Sequence, residues 1–188
     1  MKKSILVFFT LLILSCANVN GEVPWGKILT EPSEDSFIAV KDQLSKAGKC
    51  DGDWYSNAKY SDQLFSLFNM VSEGNNYAFE ISLLITDCLD GGNLGDMYRS
   101  MGLFFELKPS EFFRILDSRP VSNNNLKNML VMLPLYTVDD IPQKIDLLDK
   151  RLKMASRFVE NDVDPALYKK AVSILRKEIN FYKSLDVK

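Results

Sequence analysis

An all-α fold follows from three features of this sequence. Apolar residues recur at three- and four-residue spacing through most of the chain beyond residue 33. Short breaks rich in Gly, Pro and Asn separate those segments, and no run alternates apolar and polar residues beside hairpin-turn chemistry. The expected architecture is a single domain of about seven or eight helices.

The first helix is announced by Pro32-Ser33-Glu34-Asp35, an acidic first turn, after which Phe37, Val40, Leu44 and Ala47 form one face and Gly48 ends it. A second runs from about Asp53 to Ser72, with Ala58, Leu64, Phe65, Phe68 and Val71 on its buried side, and Gly74-Asn75-Asn76 breaks it. Tyr77 to Leu89 is a strongly apolar helix that Gly91-Gly92 should end, and Asn93 opens another through Leu107. Pro109 suits the first position of a short helix over Ser110–Asp117, because the N–H it lacks has no partner there. Ser122 can cap a helix reaching Leu133. Asp139 or Asp140 followed by Pro142 starts a segment to about Val159, with a stripe of Ile145, Leu148, Leu152 and Ala155. Asp164-Pro165 repeats that start and leads into Leu167, Ala171, Ile174, Leu175 and Ile179. Such elements fit an irregular bundle or a HEAT-like stack of helix pairs. The pairs 53–72 with 77–89 and 93–107 with 110–117 have suitable lengths, but no motif repeats at a fixed period.

Ahead of the helices stands MKKSILVFFTLLILSCANVNGE. Lys2 and Lys3 give a positive start, Ile5–Leu14 is apolar except for Thr10, and small or polar residues follow, which is the three-part layout of a signal peptide. The apolar run has ten residues, against roughly 20 for a membrane-spanning helix. Ser15-Cys16-Ala17 would suit ordinary cleavage after Ala17. Ile13-Leu14-Ser15-Cys16 instead resembles the lipobox of bacterial lipoproteins, with Leu14 larger than the family's usual residue, and this is the favoured reading.

The resemblance covers the first sixteen residues alone. It implies removal of residues 1–15, a diacylglycerol on the Cys16 sulfur and a further acyl chain such as palmitate on the new amino group. Two or three chains anchor stably, whereas one gives only marginal, reversible binding. Ala17 rather than Asp would follow the lipidated residue, which implies the periplasmic side of the outer membrane, a soluble periplasmic or secreted protein being the alternative. Residues 16–32, with Gly21, Pro24 and Gly26, read as a flexible tether and 33–188 as the helical domain.

The chain has 23 Lys and Arg against 25 Asp and Glu, and losing Lys2 and Lys3 takes its net charge from −2 to −4. An acidic exported protein without a basic cluster in its sequence is a poor nucleic-acid binder. There is no histidine, so Ser-His and Cys-His nucleophiles, imidazole-containing zinc sites and histidine pH switches are all excluded. Cys50 and Cys88 are too few for structural zinc, and in an oxidising compartment a disulfide between them is expected. The helices on either side of Gly74 should form an antiparallel hairpin that brings both thiols to its open end.

Three groups of residues invite a chemical reading. Asp51-Gly52-Asp53 resembles the start of a calcium loop with Asp62 as last ligand, but Tyr55 and Ser56 stand where an acid or amide and a glycine are wanted, so a helix N-cap is preferred. Asp87, Asp90 and Asp96 surround Gly91-Gly92 and read as capping and turn residues. Glu80 and Glu106, on apolar helices, are the places for a general acid of a histidine-free hydrolase acting on cell-wall glycan, yet no second carboxylate is tied to either. No catalytic residue, metal or cofactor is expected. Phe104, Phe105, Phe112 and Phe113 exceed what one buried stripe accommodates and read as a partner-binding patch. The resulting expectation is a lipid-anchored envelope protein, not an enzyme, that binds a protein partner as a scaffold, assembly factor or toxin-immunity protein.

Overall fold

A computed structural model describes residues 33–46, 58–89, 91–137, 139–157 and 163–186. The described residues form an all-α bundle without strands. Its helices are α1 (Glu34–Lys46), α2 (Ala58–Ser72), α3 (Asn76–Ile85), α4 (Gly91–Leu107), α5 (Pro109–Ser118), α6 (Asn123–Val131), α7 (Ile141–Arg157) and α8 (Pro165–Asp186). Single 3-10 turns follow α3 at Thr86–Cys88 and precede α7 at Leu135–Thr137.

Local chemistry sets the ends. Ser33 and Ser36 bond reciprocally through backbone N–H and hydroxyl, at 2.9 and 3.2 Å, closing a capping box on α1. Between α2 and α3 the Asn75 N–H donates to Met70 O and the Gly74 N–H to Val71 O, both at 2.9 Å, while Gly74 takes φ 86°. This is a Schellman turn, and only glycine adopts that φ without strain. Asn75 then caps α3, its Oδ1 accepting from the Ala78 N–H at 3.0 Å. Ser122, Asp140 and Asp164 accept from N–H groups in the first turns of α6, α7 and α8 at 3.1, 2.8 and 2.8 Å, and Pro109 opens α5.

Three expected boundaries move by two residues or more: α3 ends at Ile85 and not Leu89, α4 begins at Gly91 and not Asn93, and α6 ends short of Leu133. The break before α4 is made by the 3-10 turn and extended Leu89 (φ −95°, ψ 148°), and Gly91-Gly92 form the first turn of α4 instead of ending α3. Helix α6 stops at Val131, not Leu133, because Met132 is extended (φ −71°, ψ 119°) and Pro134 disfavours helical backbone at the residue before it. The expected ends at Gly48 and Val159 and the start at Asp53 lie outside the described residues.

Helices pack beyond their sequence neighbours. α2 packs on α4, α4 on α6 and α6 on α8, so the even-numbered helices make one continuous row, while α1 lies on α3 and the most extensive contact joins α7 to α8. The core is aromatic where α3, α4 and α5 meet. Phe79 stacks on Phe104 with centroids 4.3 Å apart, and Phe112 meets Phe79, Phe105 and Phe113 at 5.6, 5.0 and 5.5 Å.

Candidate functional site

That aromatic cluster overturns one expectation. Phe104, Phe105, Phe112 and Phe113 are each 0 % exposed, so they form no partner-binding patch. The rings exceed what one helix stripe can bury, but the core draws on several helices at once. Phe79 of α3 meets Phe104 of α4 and Phe112 of α5, and Phe105 of α4 meets Phe112 and Phe113 of α5, so three helices share the burial of these rings.

The two lone carboxylates are both engaged. Glu106 Oε1 accepts from Arg151 Nε at 2.9 Å and its Oε2 accepts from Lys150 Nζ at 3.0 Å. Arg151, 0 % exposed, donates through Nη1 to Leu130 O at 2.8 Å and Met132 O at 3.0 Å, thereby closing the carbonyl end of α6. Nη2 stands 2.9 Å from Glu106 Oε1 without an aligned hydrogen. Burial pushes the guanidinium down from its ordinary value and Glu106 opposes that shift. Gly102 makes the room, since a Cβ there would lie 2.6 Å from Arg151 Nη2 and 2.9 Å from Met129 O. On α3, Glu80 pairs with Arg119 at 3.1 Å, and that guanidinium lies 5.8 Å from the Phe37 ring centroid. Each carboxylate is ion-paired with a guanidinium, and neither faces a second carboxylate in these contacts.

Two of the three aspartates around Gly91-Gly92 lie among the described residues. Asp96 pairs with Arg99 at 2.8 Å, Asp87 is exposed, and Asp90 lies outside the described residues, as do Asp51, Gly52 and Asp53. Among the described residues no group of three His, Cys, Asp or Glu could hold a metal ion. Cys88 is buried at the end of the 3-10 turn after α3 and is disulfide-bonded. Cys50 and Cys16 lie outside the described residues.

A cleft of about 600 Å³ lies at the corner where α2 turns into α3. Glu73, Glu80, Lys108 and Arg114 bring both signs of charge to its walls, and Gly74, Asn76 and Tyr77 help line it. One wall is fixed by a small network. Asn76 Nδ2 donates to Glu111 Oε2 at 3.2 Å, the same oxygen accepts from Arg114 Nε at 3.0 Å, and Lys108 Nζ reaches Asn76 Oδ1 at 3.5 Å. Leu107, 60 % exposed, borders the cleft, with its Cδ1 3.8 Å from where a Gly74 Cβ would stand. A volume within the ordinary range for ligand pockets, two signs of charge, amides and an adjoining exposed leucine suit recognition of a peptide or protein surface.

Sequence reasoning passed over Lys108, Arg114 and Arg151. Arg151 had a signal, standing three residues after Leu148 and four before Ala155, within the buried stripe of its helix. Lys108 and Arg114 had none, because only the fold brings the α4–α5 junction against the α2–α3 turn. Comparison of the chain with protein-family models, with curated proteins and with solved structures gives no match.

Proposed function

We propose that this is an exported cell-envelope protein, held on the periplasmic side of the outer membrane by lipid on Cys16, that acts by binding a protein partner at the corner cleft and not by catalysis. The observation that carries the docking site is the juxtaposition of the two-signed cleft with exposed Leu107. Apolar residues that stay exposed beside convergent polar groups mark interaction surfaces more often than scattered ones do. Support for a binding role also comes from Glu80 and Glu106, whose ion pairs give them structural work. Cys88 is proposed to pair with Cys50, since a Cys16 sulfur carrying diacylglycerol is a thioether and cannot form a disulfide.

Scaffold, assembly and toxin-immunity roles all use such a surface, and the identity of the partner separates them. Affinity capture from envelope extracts, comparing the wild-type chain with Leu107→Asp and with Lys108→Glu/Arg114→Glu, tests the proposal. A partner retained by the wild type and lost from both variants is expected. Retention by both variants, with their helical circular dichroism unchanged, overturns the docking site.

A further inference from the structure

The charge of the chain is unevenly distributed. Residues 141–188 contain 11 Lys and Arg against 7 Asp and Glu, whereas 1–140 contain 12 against 18. The fold concentrates part of that excess in a groove of about 500 Å³ between α7 and α8. Lys169, Arg176 and Lys177 line it at i, i+7 and i+8 along α8, together with Ser173, Asn180 and, from α7, Ser156. Among the described residues no carboxylate lines this groove and none of its three cations is ion-paired. Glu178 turns away from it, its Oε2 standing 3.6 Å from Lys127 Nζ of α6.

We propose that the α7–α8 groove binds a phosphate group, carried by a phospholipid headgroup or by a soluble phosphate compound. The donor set fits that anion. A guanidinium can hold two phosphate oxygens in a fork, two ammonium groups supply point charge, and serine hydroxyls and an asparagine amide can satisfy the remaining oxygens. A carboxylate ligand would use the fork equally but leave most of those donors idle. A phosphate has three or four oxygens to share among them. The sites of the cations are exposed, so binding weakens as salt rises.

The test uses the full chain carrying Cys16→Ser, so that no acyl chain contributes whatever becomes of the anchor proposal. Two probes are titrated: glycerol 3-phosphate, followed by backbone amide shifts on α8, and vesicles of equimolar phosphatidylglycerol and phosphatidylcholine, followed by co-sedimentation. Arg176→Gln/Lys177→Gln is compared with Lys153→Gln/Lys183→Gln, which removes the same charge at exposed positions outside both the groove and the corner cleft. Each basic residue facing an anionic surface contributes about fivefold, so the groove variant should bind roughly 25-fold more weakly while the control stays near the parent. Loss with both probes supports the site and shows that the headgroup phosphate suffices. Loss with vesicles alone supports it with the lipid surface as source, and loss with glycerol 3-phosphate alone supports it with a soluble source. Failure of the parent to bind either probe, or an equal loss in the control variant, overturns the proposal.

Discussion

Arg151 and Glu106 illustrate how a buried charge is tolerated at the level of single residues. The guanidinium donates to two carbonyls at the end of α6 and to Glu106, so removal of one partner strands the other in the core. Glu106→Met is therefore expected to cost about 3–5 kcal/mol, whereas exchanging both residues for apolar ones of similar volume leaves no stranded charge and costs less. The remaining loss is that of the Leu130 and Met132 carbonyls without their donor. Urea denaturation of Glu106→Met and of Glu106→Met/Arg151→Met checks this, and equal losses in the two would contradict the account. Gly102→Ala probes the same site from α4. Its Cβ would meet Nη2 at 2.6 Å and Met129 O at 2.9 Å, and the backbone contact cannot yield by a rotamer change, so a loss of about 1–3 kcal/mol is expected in the same assay. The position of Arg151 in the apolar stripe was legible in the sequence. Its partner was not, because the pairing of Glu106 with residues 44 and 45 positions away depends on which helices meet.

Helix starts were the most legible elements, since an N-cap is written in a few adjacent residues. Ser122, Asp140, Asp164 and Pro109 all stand where local chemistry places them. Helix stops were less so. Gly91-Gly92 look like a terminator, yet the first N–H groups of a helix need no intrahelical partner, so glycines are also tolerated at its start. The hairpin of α2 and α3 was legible from its Schellman glycine. Over the described residues α2 spans fifteen residues, about 22 Å, while ten residues of α3 and three of the 3-10 turn rise about 21 Å, which sets Cys88 level with the start of α2. With Cys50 as its partner, the closed loop of nearly 40 residues stabilises the fold by about 4 kcal/mol in the chain-entropy model. Cys50→Ser should then lose that stability and leave Cys88 open to alkylation in protein purified without reductant. Unchanged stability with Cys88 still protected would show that another cysteine is its partner.

At the scale of the whole molecule the even-numbered helices form a row that carries the corner cleft near one end, where α2 turns into α3, and the basic groove at the other, on α8. The sequence could show that these segments are helices but not which of their polar faces converge, and both surface sites arise from that convergence. Anchorage adds a test in which the forces separate by their response to salt. Attachment through two or more acyl chains rests on the burial of methylenes, each worth about 0.8 kcal/mol, and is insensitive to ionic strength. Attraction of the α8 cations to anionic headgroups is screened over about 10 Å at 0.1 M salt and over about 3 Å at 1 M. Wild-type protein should therefore stay with the membrane fraction through a high-salt wash. Cys16→Ser should appear in the soluble envelope fraction after that wash, and any part of it that remains bound at low salt reports the groove. If Cys16→Ser, with its leader removed, still resists the high-salt wash as the wild type does, Cys16 is not the anchor.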